Sequence, residues 1–262
     1  MTAEAGLLPA ARVLLVCGGK GGVGKSTVAA NLAVTLAAGG LRVGLLDTDL
    51  QGPSLPVMFG LDERPAVRAG LIVPPERHGV RLMSTGLLAA RHHALAWRGP
   101  LLRGALKQML RDVAWEEPDV LVVDTPPGTG EVHMGLHGLL GIWGAVMVTT
   151  SQRVALEDTR RCATMLRTLG IPVRAAVDNM AHHRCPECGS ENRIFSRNLP
   201  KEAAEACGVD PERVTSIPIQ PEIAESGDDG TPVVLTALGE ALGVSELYRR
   251  LASPLAPAAA AL

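Results

Sequence analysis

Gly18-Gly19-Lys20-Gly21-Gly22-Val23-Gly24-Lys25-Ser26-Thr27 is the stretch on which the reading of this 262-residue chain turns. From Gly19 to Ser26 it satisfies G-x-x-x-x-G-K-[ST], the spacing of a phosphate-binding loop. Its flanks fit that reading. Arg12 to Cys17 (RVLLVC) is a short apolar run that breaks into the glycines, and Lys25 to Ala38 continues with helical spacing until Gly39-Gly40. Glycines let consecutive amides turn inward around phosphate oxygens, and the helix N-terminus adds its partial positive charge. Lys25 is expected to reach the β and γ phosphates of ATP, and Ser26 to offer its hydroxyl to Mg2+. Gly19, Lys20, Gly21, Gly22, Val23, Gly24 and Thr27 complete the expected cradle. Of the 25 basic residues only four are lysine, and two of those stand in this loop. A compact ammonium on a flexible stem suits such a site better than a planar guanidinium.

Outward from the loop, Arg42 to Asp47 reads as a second buried strand ending on an acid. Further strands are expected at Val80 to Met83, Val120 to Asp124, Ala145 to Thr150, Val173 to Val177 and Val214 to Ile217. Helical stretches lie between them, chiefly Pro100 to Ala114, Glu131 to Leu140, Ala155 to Leu169, Pro200 to Cys207 and Leu235 to Leu251. Continuous apolar strands separated by helices predict an α/β fold: a doubly wound, mainly parallel sheet of seven or eight strands in three layers, of P-loop NTPase type. One domain is expected over residues 12–252, with 1–11 a disordered N-terminus and 253–262 a low-complexity, frayed tail. Gly52 to Val73, rich in Gly and Pro, is expected to form a mobile loop or small helical excursion over the active face.

Composition narrows the class. A formal net charge of −2 and a pI near 6.4 give no bulk attraction for nucleic acid or an anionic membrane. No apolar run reaches the roughly 18 to 20 residues that a membrane span needs. No secretory signal is visible at the N-terminus, so a cytoplasmic location is the default.

Two acidic strand ends support the phosphate loop. Asp124 stands where a magnesium carboxylate is required. Asp47-Thr48-Asp49 closes the neighbouring strand, at the carboxyl edge where open α/β sheets bind ligands.

Lys20 adds a second lysine, giving GKGGVGKST. This resembles the deviant phosphate loop of the MinD/ParA-like ATPases, in which the extra lysine reaches across a homodimer to the partner's nucleotide. Leu45 to Gly60 (LLDTDLQGPSLPVMFG), Trp97 to Trp115, Asp119 to Glu131 (DVLVVDTPPGTGE), Ser151 to Arg161 and Ile217 to Val234 then narrow the likeness. Over Arg12 to Leu251 the chain is similar to the Mrp/ApbC iron–sulfur cluster carrier ATPases. The resemblance implies that Asp49 is the switch carboxylate near the attacking water, Asp124 the Walker B acid and Asn179 the adenine-reading residue. It departs at Glu131, where Asp is usual, at Ser196 in place of Gly, and at Gly18 in place of Ser.

Cys185-Pro186-Glu187-Cys188 forms a C-x-x-C knuckle within residues 180–196. Thiolates at this spacing suit zinc or an iron–sulfur cluster. One chain supplies two sulfurs at this spacing where a cubane cluster or a four-sulfur zinc site needs four, so the count predicts a site shared by two chains. The resemblance implies a bridging [4Fe-4S] cluster passed to apo iron–sulfur proteins. Alternatives remain at this stage: a redox pair, or zinc completed by His182 and His183, which otherwise read as loop residues. Cys17, Cys162 and Cys207 read as buried thiols, and Ile194 and Phe195 as packing for the cysteine loop. A positioning or partitioning ATPase with a structural zinc knuckle is the rival function.

Overall fold

Register places the chemistry before any side chain is considered. In the computed structural model, which describes residues 7–8, 11–50, 52–88, 100–185, 187–195 and 200–257, Asp47 is paired with Asp124 on one neighbour and with Ser84 on the other. Val16 is paired with Asp124 in turn. Three strands therefore end level, with their polar termini side by side.

The strands are β1 (Arg12–Cys17), β2 (Val43–Asp47), β3 (Ala66–Arg68), β4 (Leu71–Val73), β5 (Glu76–Arg77), β6 (Val80–Ser84), β7 (Val120–Asp124), β8 (Ile142–Thr149), β9 (Val173–Asp178), β10 (His183–Arg184), β11 (Glu191–Asn192) and β12 (Val214–Ser216). Eight of them form one sheet in the order β12-β9-β8-β1-β7-β2-β6-β5, parallel except at the β5 edge. The helices are α1 (Lys25–Ala38), α2 (Leu55–Met58), α3 (Thr85–Leu88), α4 (Pro100–Arg111), α5 (Glu131–Leu139), α6 (Arg153–Thr168), α7 (Pro200–Cys207), α8 (Pro221–Asp228), α9 (Ala237–Ala241) and α10 (Val244–Ala252). The expected doubly wound fold is present.

Strand side chains alternate between two cores. Leu14, Val16, Val122, Val146 and Val148 meet α1 and α10 on one face. Val13, Leu15, Leu121, Val123 and Met147 meet α4, α5 and α6 on the other. Each such side chain removed from water contributes about 1.5–3 kcal/mol. On α4, Leu102, Leu106, Met109 and Leu110 are buried, the i, i+4, i+7, i+8 stripe of a helix lying on a sheet.

Several expectations need correction. Leu235 to Leu251 is not one helix: Gly243, at φ 73°, separates α9 from α10, and Thr236 caps α9 by accepting from the Gly239 amide at 2.9 Å. Gly52 to Val73 contains the expected small helix, α2, but its second half is the β3–β4 hairpin. Ile72 ties that hairpin to the end of α4, donating to Asp112 O and accepting from the Ala114 amide, both at 2.8 Å. The ordered domain also overruns its expected limits. Leu7 donates to Leu139 O, Leu255 is buried, and Arg12 Nη1 donates to Ala256 O at 2.9 Å. Residues 258–262, the rest of the expected tail, lie outside the described residues. Arg12 and Arg174 both stack on Trp143, at 4.8 and 4.4 Å, far from the carboxyl edge.

Candidate functional site

The phosphate loop is built by close approaches that only glycine permits. A Cβ on Gly19 would stand 2.2 Å from the carbonyl of Asp158 in α6. Gly24, at φ 87°, opens α1 in the left-handed region. Gly18 O accepts from the Gly128 amide at 3.1 Å, so the loop is joined to the turn after β7. Lys25 is 7% exposed and its stem lies over Gly18, whereas Lys20 is only half-buried.

Asp124, beneath the loop, is 1% exposed. Burial pushes its carboxyl up to about 7, against the pull of the Ser26 hydroxyl and the Lys25 ammonium. Its Oδ1 is a buried acceptor with no hydrogen-bond partner. Beside it, burial and then the Asp124 charge push Asp47 well above the carboxylate range. Asp47 accepts from Ser84 Oγ at 3.0 Å and from the Asp49 amide at 3.1 Å. Asp49 itself is half-buried and accepts from the Gly52 amide at 3.3 Å. Asp47, Asp49 and Asp124 repel one another electrostatically, and a divalent cation that brings its own water and phosphate ligands suits that excess of acid. The Ser26 hydroxyl and the orphaned Asp124 oxygen are the fitting donors for a hydrated Mg2+.

Thr48, Thr125 and His133 hold this arrangement, and sequence reading did not single them out. Thr48 donates from both its amide and its hydroxyl to Asp124 O, at 3.0 and 2.6 Å. Thr125 Oγ1 donates to Val16 O at 2.8 Å, so His133 Nε2, 3.1 Å away, must donate to that hydroxyl. Burial, then the Lys25 charge, push His133 down to about 4, so the imidazole is neutral. The available signal was position at the carboxyl edge, shared by Thr48, Ser84 and Thr125.

Asn179 leaves β9 and is 7% exposed. Its Nδ2 donates to Val23 O at 2.8 Å, which commits the amide to the phosphate loop and leaves Oδ1 as an acceptor. Asp178, one residue earlier, accepts from Ser151 Oγ at 2.9 Å.

The cysteine pair sits at the tip of the β10–β11 hairpin. Cys185 is half-buried and Cys188 exposed. The tip is closed by Cys185 N to Ser190 O and Gly189 N to Cys185 O, each 2.9 Å. Cys188 Sγ lies 3.1 Å from Ser190 Oγ, and that contact, with Cys185 also adjacent, lowers the Cys188 thiol from its usual range. At the base, the Ala181 amide donates to Ile217 O and the Ile219 amide to His182 O, at 2.9 and 2.8 Å. His183 Nδ1 faces Ile219 O at 3.4 Å and His182 Nε2 faces Glu191 at 4.0 Å. Among the described residues no three metal-binding side chains converge, so the histidines do not complete a zinc site with the cysteines. Ile194 is 54% exposed and does not pack the loop onto the domain; Ser196 lies outside the described residues.

A glycine-built loop opening a helix lies beside a buried carboxyl whose Oδ1 has no partner, an arrangement suited to a nucleoside polyphosphate. The fold around it is that of the P-loop NTPases. Residues 10–255 match the ParA group described as NUBPL iron-transfer P-loop NTPases, and the chain belongs to that family. Among curated relatives it is 42% identical, over 94% of its length and 86% of the relative's, to an iron-sulfur cluster carrier protein of Pseudomonas fragi. It is 44% identical to one of Aquifex aeolicus, over 86% of this chain but 62% of that longer protein. An Arabidopsis thaliana iron-sulfur protein required for NADH dehydrogenase is 40% identical, over 92% and 76% of the two chains. Among solved structures, an Archaeoglobus fulgidus nucleotide-binding protein in complex with ADP superposes with a TM-score of 0.71 at 34% identity, covering 84% of this chain and 86% of that one. A Pyrococcus furiosus cell division ATPase MinD shares the fold, with a TM-score of 0.68 at 23% identity, over 93% and 98% of the chains. No helix among the described residues is long and apolar enough to cross a membrane.

Proposed function

We propose that this chain binds and hydrolyses ATP as a homodimer, holds a [4Fe-4S] cluster between the Cys185 and Cys188 pairs of two copies, and passes it to apo iron–sulfur proteins. The observation that carries the reading is the cysteine hairpin itself. It presents two thiols at an exposed tip while its base is hydrogen-bonded to the nucleotide edge of the sheet. A four-sulfur site built from such tips needs two copies. Met134, Val154 and Ile194, on connections leaving that same edge, are 63, 62 and 54% exposed and supply apolar surface for closure.

In this reading the amides of residues 19–24, with Lys25, hold the phosphates, and Lys20 serves the partner's nucleotide. Asp49 orients the attacking water, and Asn179 Oδ1 accepts from the 6-amino group of adenine. Mg2+, held through Ser26 and Asp124, neutralises phosphate charge when bound. The fixed dipoles and ammonium groups need not reorganise as charge develops on the γ phosphate.

Anaerobic reconstitution with iron and sulfide, with metal counting and molar mass on one sample, tests the proposal. About four iron per dimer is expected from the cubane stoichiometry, lost in Cys185→Ala and Cys188→Ala while nucleotide binding persists. Equal iron in the alanine variants would overturn it. One tightly held zinc per chain without iron would instead favour the partitioning-type ATPase.

A further inference from the structure

Three of the five cysteines take no part in the exposed pair, and two of them flank the phosphate loop from behind. Cys17 is the last residue of β1, immediately before Gly18, and Cys162 lies in α6 one turn beyond Asp158. Both are fully buried in the same core cluster, near enough that each thiol shifts the acidity of the other. The backbones that carry them are also in direct contact, since Gly19 has no clearance from the Asp158 carbonyl and the Thr159 amide.

We propose that Cys17 and Cys162 are a redox modification site: hydrogen peroxide converts this dithiol into a disulfide that ties β1 to α6 and weakens nucleotide binding. It rests on nucleotide binding at the phosphate loop and not on cluster carriage.

The chemistry balances with peroxide as the sole co-reactant. The Cys162 thiolate attacks one peroxide oxygen, breaking the O–O bond and releasing hydroxide, which takes up the proton lost by that thiol. The Cys17 sulfur then displaces water from the Cys162 sulfenic acid. Two thiols and one peroxide give one disulfide and two waters. The roles follow from the surroundings. The adjacent Cys17 and the Lys25 ammonium lower the Cys162 thiol from its usual range, while Cys162 and burial raise that of Cys17, so Cys162 is the attacking sulfur. Burial holds Cys207, on the adjacent helix, as a protonated thiol with its pKa pushed up to about 12, so it does not compete. Burial also excludes bulky disulfide oxidants, which leaves a small peroxide as the reactive class.

The mechanical consequence follows from Gly19. A disulfide fixes the distance and dihedral angles between two sulfurs that are now unbonded, and it draws α6 against β1. With no space between Gly19 and α6, that displacement is transmitted to the loop that must aim its amides at phosphate. Losing one or two charge-assisted hydrogen bonds to phosphate should lower affinity on the order of tenfold or more.

The test uses the full chain, reduced and then treated with hydrogen peroxide, with a fluorescent ATP analogue as the binding probe and peptide mapping of the cross-links. A Cys17–Cys162 peptide is expected, with weakened binding that dithiothreitol restores. Cys162→Ala should bind the analogue normally and lose the response, and a Cys185→Ser/Cys188→Ser chain should keep it. Absence of the Cys17–Cys162 cross-link, or its presence with unchanged affinity, overturns the proposal. Failure of the reduced chain to bind the analogue would count against the nucleotide reading instead. Dithiothreitol reversal on the unmodified chain decides the matter even if the alanine variant does not fold.

Discussion

Asn179 reaches back across the sheet edge to hydrogen-bond Val23 O at 2.8 Å, so the end of β9 and the phosphate loop are one unit. That bond fixes the amide plane and leaves Oδ1 as an acceptor, the atom that reads the base in the proposed nucleotide complex. In that complex a 6-amino group donates to Oδ1, whereas a 6-keto oxygen set against Oδ1 places two acceptors face to face. Asn179→Ala is expected to weaken ATP binding by about tenfold to a hundredfold, the worth of one or two buried hydrogen bonds. It should also flatten the preference for ATP over GTP, measured by competitive displacement. An unchanged preference would remove Asn179 from base recognition.

Gly19 and Gly21 should behave in opposite ways. A methyl group on Gly19 would collide with the Asp158 carbonyl, while one on Gly21 meets nothing within 4 Å. Gly19→Ala is expected to cost about 1–3 kcal/mol or more by overpacking and to abolish nucleotide binding. Gly21→Ala, without a steric penalty, should stay within about 0.5 kcal/mol of the parent in thermal melts.

Asp124 should oppose stability to function. Its folded pKa, about 7, lies above the ordinary 3.8 because of burial. The folded state therefore holds an extra proton between those values, and this group's contribution to stability falls as pH rises from about 4 to about 7. Asp124→Asn removes that penalty. At pH 8 and without nucleotide the variant is expected to be more stable by about 2–4 kcal/mol, a difference that disappears below about pH 4. It should also lose Mg2+-dependent nucleotide binding. A variant melting below the parent at pH 8 would show that the carboxylate is satisfied as an anion.

Lys20→Ala separates the two lysines. Lys25 is buried over Gly18, whereas half-buried Lys20 is available to a second copy. Its loss is expected to leave ATP affinity within about threefold while turnover falls by about a hundredfold or more, as for a transition-state cation supplied in trans. Steady-state hydrolysis beside equilibrium binding checks both halves. A proportionate loss of affinity would make Lys20 a ground-state ligand.

The phosphate loop and its strand–helix flanks were legible because their signal is local: glycine spacing and short apolar runs. Asp124 and Asp47 were legible as acidic strand ends because they close such runs. The break at Gly243 was not, since one glycine inside an amphipathic pattern leaves the apolar spacing of Leu235 to Leu251 intact. Strands β5, β10 and β11 are two residues each and carry no periodicity. The pairing of Thr48 with Asp124 O, or His133 with Thr125, spans chain connections whose geometry only the sheet order decides. Asn179 read alone as a turn residue, because its partner Val23 lies 156 positions away.

The cysteine hairpin is gripped at its base by Ala181–Ile217 and His182–Ile219, and among the described residues its tip is bonded only within its own turn. Such a piece acts as a lever arm. By that geometry, a small rotation where β9 and β12 meet the nucleotide edge would sweep Cys188 through a larger arc, with the turn that spaces the two sulfurs travelling unchanged. In the proposed dimer, cargo held between two such arms would open to a recipient without unfolding either chain.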